Sequence, residues 1–297
     1  MSSPHWARNH HTLATLALVA VTAVWGGTFV VVQDAVEQMP VLPFLFWRFA
    51  VAAVVLAALR PRAILDLDPV RRRHGILLGL LLGSGYVAQT FGLLHTSATV
   101  SGFITGMFVV FTPLIAWGVL GQPVTPAVWT GVGLATVGLA LISLNGFALG
   151  FGELLTLACA AFFAAHIVGL GQWSTTADAY GLTVLQLGVV ALMCLVTSPL
   201  QGGIAMPPNA GVWAAIVFLA LAATALAFLA QTWAQNYLSA PRAAIVLTLE
   251  PVFAGIFGVT LGGDTLTARI LVGGVCIVAA MYVVELGPRR QLRATSS

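Results

Sequence analysis

Three ionisable side chains lie inside long apolar stretches of the chain, where a charge is costly. Glu250 lies in the stretch 240–261, Arg48 in the stretch 41–59 and His166 in the stretch 151–171. A charge at the centre of a lipid bilayer costs on the order of 3 kcal/mol on insertion scales, so each side chain should meet a partner, water or a ligand. The three residues are therefore candidates for substrate binding or proton transfer.

Each candidate also has a structural interpretation, and the sequence leaves both open. Glu250 precedes Pro251, which lacks a backbone N–H and breaks helices, so its carboxylate either stabilises that break or binds a substrate ammonium group or a proton. Arg48 extends to the lipid headgroups, pairs with an acid such as Glu250, or binds a substrate carboxylate with its planar fork. His166 either relays protons, since imidazole changes charge near neutral pH, or donates a hydrogen bond to a neighbouring helix.

The composition around these residues indicates an integral membrane protein. Of the 297 residues, 59% are hydrophobic and 7% are charged, and the mean hydropathy is +1.00. Soluble domains carry about 25% charged residues, and so few charges could not cover the surface of one. The basic residues behind the net charge of +3 are all arginines in short segments between apolar stretches. This pattern reports topology rather than nucleic-acid binding.

Motifs for metal binding, cofactor binding or catalysis are missing from the sequence. Cys159, Cys194 and Cys276 are isolated, and there is no CxxC pair. No GxxxxGK[ST], GxSxG or HExxH motif occurs either. The sequence therefore predicts no metal, no cofactor, no ATP-driven step and no enzyme.

Ten apolar stretches of about 20 residues, the length that crosses a bilayer as a helix, recur along the chain. They lie near 13–33, 41–59, 75–94, 98–119, 127–144, 151–171, 180–200, 211–234, 240–261 and 268–286. With the N-terminus inside, Arg269 is alone on the outer side, Arg48 lies within a span, and the cytoplasmic arginines are Arg8, Arg60, Arg62, Arg71, Arg72, Arg73, Arg242, Arg289, Arg290 and Arg293. Because arginine is retained on the cytoplasmic side, we predict a multi-pass protein of the cytoplasmic membrane with both termini cytoplasmic.

The two halves of the chain repeat one another. Residues in and between the third and fourth spans recur 138 to 142 positions later, and the 23-residue spacing from the first to the second span recurs in the sixth and seventh. Each half then holds five spans, and an odd number makes the second half enter the membrane from the opposite side. This predicts an inverted repeat with halves 1–146 and 147–297, the symmetry of alternating-access transporters. The matched pairs are Trp25 with Phe163, Arg48 with Gln186, Gln89 with Gln231, and Pro113 with Pro251.

Inverted-repeat transporters bind substrate near the midplane, beside interrupted helices. The matched prolines Pro113 and Pro251 therefore predict helix breaks and a gate, while Gly102 and Gly106 have the GxxxG spacing that favours close helix packing. The matched amides Gln89 and Gln231 either line a polar path or bond neighbouring helices together. Aromatic side chains within spans are candidates for a wall against an apolar or aromatic substrate: Trp25, Tyr86, Phe108, Phe163 and Trp233.

Several segments resemble the EamA-type branch of the drug/metabolite transporter superfamily. They are AVWGGTFVVVQDAV, FLFWRFAVAAVVL, TSATVSGFITGMFVVFTPLIAWGVLGQPVTPAVWTGVGLATVGLALI and LSAPRAAIVLTLEPVFAGIFGVTLGG. The resemblance implies ten helices in two inverted five-helix repeats and, in many members, export of amino acids or related metabolites. The chain departs from the family where a glutamate usually follows LG: it has Gln122 and Gly263-Asp264 there. The family's LEP triplet is intact in the second half, whereas the first half reads Phe111-Thr112-Pro113.

The sequence and the resemblance together predict an all-α secondary transporter that exports amino acids, including aromatic or apolar ones, by alternating access. Uptake or exchange of other small metabolites, such as sugar- or nucleotide-linked compounds, is the alternative within this class. A membrane sensor or binding protein is the alternative from another class. The expected partners are a small-molecule substrate and the lipid bilayer, without nucleic acid. The oligomeric state is left open, and a monomer fits.

Overall fold

A computed structural model describes residues 5–121, 124–145, 148–175, 178–235, 246–247 and 249–294. The predicted joint from Tyr237 to Ser239 and the predicted cytoplasmic Arg242 lie outside these residues. The described chain is helical apart from a two-residue antiparallel ladder, β1 (Leu144–Asn145) with β2 (Ala148–Leu149). The helices are α1 (His5–Val36), α2 (Val41–Leu59), α3 (Pro69–Leu93), α4 (Ala98–Thr105), α5 (Phe108–Leu120), α6 (Pro126–Ser143), α7 (Phe151–Trp173), α8 (Ala179–Thr197), α9 (Ala210–Phe218), α10 (Ala227–Gln235), α11 (Glu250–Thr260) and α12 (Ala268–Ala294).

The helices form membrane spans, as the composition predicts. Within the part of the chain that the structure describes, seven segments are long and apolar enough to cross a bilayer, among them Val41–Leu59 in α2 and Phe151–Trp173 in α7. Three shorter apolar helical segments, Pro126–Leu141, Glu250–Thr260 and Ala268–Val283, coincide with further predicted spans. The all-helical, multi-span prediction is therefore confirmed. The count of ten spans and the cytoplasmic termini stay predictions.

Local sequence explains where several helices begin and end. The Asp68 carboxylate accepts a hydrogen bond from the Arg71 N–H at 2.8 Å and caps α3, whose first residue is Pro69. The Ser97 hydroxyl accepts from the Val100 N–H at 3.2 Å and caps α4 in the same way. Side chains of this kind satisfy backbone donors that have no partner in the first turn. Gly121 ends α5 in the left-handed region at φ 66°, which suits a residue without a Cβ.

Close helix contacts place α11 between α1 and α4. A Cβ on Gly106 would lie 2.6 Å from Pro251 Cγ, and one on Gly102 would collide with the Ala254 Cβ. A Cβ on Gly26 would lie 2.5 Å from the Phe253 Cβ. The absence of side chains at these glycines thus lets three backbones approach, which is how helices pack in a lipid environment. The GxxxG pair does serve close packing within the chain.

The helix break in the fourth span does not fall at Pro113, where the matched prolines predicted it. The chain is interrupted at Gly106 and Met107, between α4 and α5, and Pro113 lies inside α5. Pro251 packs against this interruption, since a Cβ on Gly106 would lie 2.6 Å from Pro251 Cγ. In the second half, Pro251 does lie at the start of a helix, α11. The two interruptions therefore touch each other.

The span predicted at 211–234 is also not a uniform α-helix. Between α9 and α10, residues Leu219–Leu226 form a π-helical segment, which joins the two helices without a break in the chain. Such segments are rare and frequently occur at functional sites. Nothing in the apolar run LALAATAL predicts this geometry.

Candidate substrate site

The Arg48 guanidinium lies at the centre of the bundle rather than at its surface. The residue is 2% exposed, so the side chain does not reach the lipid headgroups. Its Nε donates a hydrogen bond to the Thr224 hydroxyl in the π-helical segment at 3.3 Å. The guanidinium carbon lies 5.0 Å from the centroid of the Tyr86 ring and 5.3 Å from that of Phe49. Among the described residues, no carboxylate lies within ion-pair distance of it.

Aromatic side chains from five helices line the region around this cation. Tyr86 packs edge-on against Phe49 at 4.8 Å and against Phe163 of α7 at 5.2 Å between ring centroids. Trp25 of α1 packs against Phe228 of α10 at 5.8 Å. Three of the predicted wall residues, Trp25, Tyr86 and Phe163, therefore border the same central region. Phe228 is not among the residues predicted from the sequence, although it lies 142 positions after Tyr86 and could have been found from the repeat.

The π-helical segment joins this aromatic lining to the cation. Trp25 Nε1 donates to the Ala223 carbonyl at 2.8 Å, and the next residue, Thr224, accepts from Arg48. Thr224 is fully buried. Helices α1 and α2 of the first half thus both bind the same segment of the second half. Any movement of this segment would displace the hydrogen-bond acceptors of both the Trp25 and the Arg48 side chains.

Glu250 is the first residue of α11 and lies deep in the bundle. The residue as a whole is only half-buried. Its position is favourable, because the N-terminus of a helix carries a partial positive charge. The carboxylate interacts electrostatically with Tyr86 and Cys159. No ion pair joins it to Arg48, so the two charges do not neutralise each other.

The other predicted polar candidates make helix-to-helix hydrogen bonds or lie apart. His166 Nε2 lies 2.6 Å from Gln186 Oε1, and the Gln186 amide donates to the Leu182 carbonyl at 3.1 Å, so this pair links α7 to α8. Gln89 Nε2 donates to the Thr105 hydroxyl at 3.1 Å and links α3 to α4. Gln231 is half-buried in α10.

Two predicted aromatic candidates lie away from Arg48. Phe108 packs against a separate hydrophobic cluster formed mainly by α5, α6 and α12. Trp233 packs against Ala14 and Leu18 of α1. Neither contact involves the centre around Tyr86, and the role predicted for them as wall residues stays a prediction.

The two ends of the bundle differ in charge and in openness. At one end, a cavity of about 430 Å³ is lined by acidic and polar side chains, including Asp34, Glu37, His95 and Asp264. At the other end lie Arg60 and Arg62 and the run from Arg71 to Arg73. There Arg71 pairs with Asp178 of α8 at 2.9 Å, and Arg60 lies 5.7 Å from the Tyr180 ring, so the first half is held against the second.

The sequence profile of the EamA-like transporter family matches this chain twice, over residues 12–144 and 150–286. The chain belongs to the EamA-like transporter family. It is a transporter of the cytoplasmic membrane with several spans, and the predicted resemblance is confirmed. The role of each candidate side chain and the division into halves stay predictions.

Relatives with curated names are transporters as well. An uncharacterized transporter of Archaeoglobus fulgidus is 31% identical over 279 residues, covering 92% of this chain and 86% of the relative. A probable terminal-alkyne amino-acid exporter of Streptantibioticus cattleyicolor is 28% identical over 296 residues, covering 94% and 96%. The uncharacterized inner membrane transporter YedA of Escherichia coli K12 is 26% identical over 294 residues, covering 91% and 90%.

Proposed function

We propose that this EamA-family protein is a secondary transporter that exports small metabolites, with amino acids as the favoured class. The observation that carries the proposal is a central site with two separated, oppositely charged side chains, Arg48 and Glu250, bordered by aromatic rings. A buried charge without a partner is costly, so such a pair persists where a ligand completes it. The relative named as a probable amino-acid exporter points the same way.

We also propose that the chain folds as two inverted five-helix repeats, 1–146 and 147–297. Support comes from ring contacts that recur in both directions between the halves. Tyr86 of the first half contacts Phe163 of the second, and the matched residues Phe228 and Trp25 contact each other at 5.8 Å. A two-fold axis through the centre would generate such a reciprocal pair. Alternating access then follows from rocking one repeat against the other around this site.

The direction of export rests on the distribution of charge. The arginine-rich end is cytoplasmic in our proposal, because arginines are retained on that side. The cavity between Asp34 and Asp264 then opens to the outside, where a substrate would leave. The Arg71–Asp178 ion pair holds the two halves together on the cytoplasmic side.

Counterflow in proteoliposomes tests the proposal. Purified protein is reconstituted, the vesicles are preloaded with a single unlabelled amino acid, and entry of the same labelled compound is followed. We expect accumulation for a subset of amino acids, with apolar and aromatic ones first. No exchange across the panel by protein that elutes as a folded species would reject amino-acid transport.

A further inference from the structure

We propose that Arg48 binds the carboxylate of the substrate and that Glu250 binds its ammonium group. The substrate is then a zwitterion with one free carboxylate and one free amine, and its side chain rests on aromatic rings. This inference rests on the proposed function, and it adds what the site recognises and which residues do so.

Arg48 supplies the argument for a carboxylate. Its guanidinium has five N–H donors, and the bond from Nε to Thr224 uses one. The residue is almost fully buried, and the described residues place no carboxylate beside it. A planar guanidinium fork matches the two oxygens of a carboxylate. An anionic group that arrives with the substrate is the partner that this buried cation lacks.

Glu250 supplies the argument for an amine. Its carboxylate lies deep within the bundle, and among the described residues it has no cationic partner. It lies in the first turn of α11, so its backbone is held at the point where the helix begins. The backbone that follows this point is held in place, since Pro251 packs against Gly106 and Ala254 against Gly102. The carboxylate is thus placed by the fold rather than by an ion pair.

Tyr86 lies near both charges. The Arg48 guanidinium carbon lies 5.0 Å from the centroid of its ring, and its side chain interacts electrostatically with both Arg48 and Glu250. Two opposite charges that do not pair with each other thus both act on this one side chain. Trp25, Phe163 and Phe228 continue the lining and offer apolar faces to the rest of the substrate.

The residue matched to Arg48 in the second half is Gln186, whose side chain is neutral and is already bonded to His166 and to the Leu182 carbonyl. Among the described residues, Arg48 is therefore the one cationic side chain at the centre. One cation suits a monocarboxylate better than a phosphate ester or a dicarboxylate. The site consequently selects by the presence of both charges and by an apolar side chain.

Competition in the counterflow assay tests the inference with three compounds of one shape. Phenylalanine carries both charges, phenylalaninamide lacks the carboxylate and 3-phenylpropionate lacks the amine. If leucine exchanges and phenylalanine does not, leucine, leucinamide and 4-methylpentanoate replace them. The variants are Arg48→Gln, Arg48→Lys and Glu250→Gln. Arg73→Gln and Asp66→Asn make the same chemical changes at exposed positions and serve as controls.

We expect the wild type to prefer the amino acid over both analogues by about 10- to 100-fold, the range for a charge-assisted hydrogen bond. Arg48→Gln should weaken binding of the amino acid by a similar factor and remove the preference for the amino acid over its amide. Arg48→Lys, which keeps the charge without the fork, should retain part of that advantage and shows that the site still folds. Glu250→Gln should remove the advantage over 3-phenylpropionate, and the two control variants should behave as wild type.

Two results would overturn the inference, and they differ from failure of the proposed function. If the wild type exchanges an amino acid and its amide competes equally well, the carboxylate site is wrong although amino-acid transport stands. If the folded Arg48→Gln variant keeps the full preference for the amino acid over its amide, another residue binds the carboxylate. If no amino acid exchanges at all, the proposed function and this inference fall together.

Discussion

The two halves of the protein bring matched residues to the same centre and give them different chemistry. Arg48 of the first half is charged and lacks an anionic partner in the described structure, whereas its match Gln186 is neutral and bonded to His166. Tyr86 carries a hydroxyl near both charges, and its match Phe228 has none. Only the second half has an acid at the position matched in the interrupted helices. Glu250 begins α11, whereas its match Thr112 lies inside α5 and donates a hydrogen bond to the Phe108 carbonyl of its own helix.

The halves differ in backbone geometry as well. Leu219–Leu226 is π-helical, whereas the matched residues 77–84 lie in the regular helix α3. The Ala223 carbonyl of the π-helical segment accepts from Trp25 Nε1, and the match of Trp25 is Phe163, which has no donor. The hydrogen bonds from the Trp25 and Arg48 side chains thus both reach one segment of one half.

This difference separates two requirements of a transporter. Access from both sides needs a scaffold whose two arrangements have similar free energy, and a repeated fold supplies it. Recognition needs one orientation of a small asymmetric molecule, and a symmetric lining could not give one. Sequence identity between the halves is therefore expected at packing contacts and is lost at the residues that touch the substrate.

The largest effect should come from disturbing the contact between the two breaks. A Cβ at position 106 would lie only 2.6 Å from Pro251 Cγ, so Gly106→Val forces α4 and α11 to separate. Overpacking typically costs about 1–3 kcal/mol, and here it also displaces Glu250. We expect a clear fall in the melting temperature of the detergent-solubilised protein and loss of counterflow.

Gly118→Val is the matched control for that substitution. Gly118 lies in α5, and an added Cβ there meets nothing within 4 Å. We expect melting temperature and transport close to those of the wild type. If Gly106→Val were equally harmless, the breaks would not be in contact in the membrane, and the central role of their junction would be wrong.

Sequence alone predicts the scaffold better than the site, for physical reasons. Spans and the Gly102–Gly106 contact follow from apolar length and residue size, which are local properties. The direction in which the Arg48 side chain points does not follow from local properties. Helix α2 is apolar on all sides, because the lipid and the protein interior favour the same residue types. Val54 is exposed and Phe49 is buried in that helix, yet both are hydrophobic. The π-helical segment and the displaced break both contact residues that are distant in sequence, and no local sequence pattern predicts either of them.

A smaller effect should follow from replacing Tyr86 by phenylalanine, the residue type of its matched residue Phe228. Tyr86→Phe removes the hydroxyl and keeps the ring contacts with Phe49 and Phe163. Because a neutral hydrogen bond contributes about 0.5–1.5 kcal/mol, we expect the substrate concentration for half-maximal counterflow to rise about 2- to 10-fold. The melting temperature should change little.

Tyr180→Phe makes the same change away from the centre and serves as the control. Its hydroxyl donates to the Leu56 carbonyl at 2.8 Å at the arginine-rich end, so the loss should appear in stability and leave the substrate dependence unchanged. If both substitutions change the substrate dependence equally, Tyr86 acts through packing. The hydroxyl that distinguishes Tyr86 from Phe228 would then have no role in binding substrate.

The smallest effect concerns the matched amides, which the repeat alone cannot tell apart. Gln89 donates to Thr105 at 3.1 Å, whereas Gln231 makes no such bond within the described part of the chain. Hydrogen bonds between membrane helices average about 0.6 kcal/mol, so Gln89→Met should lower the free energy of unfolding by about that amount, whereas Gln231→Met should leave it nearly unchanged. Unfolding with a denaturing detergent measures both variants.

Counterflow of the same two variants separates the roles of the amides. If Gln231→Met lowers counterflow and Gln89→Met lowers only stability, Gln89 joins two helices and Gln231 lines the path. If both variants lose the same stability, Gln89 and Gln231 make equivalent interactions. The asymmetry between the halves would then be confined to the residues around Arg48 and Glu250.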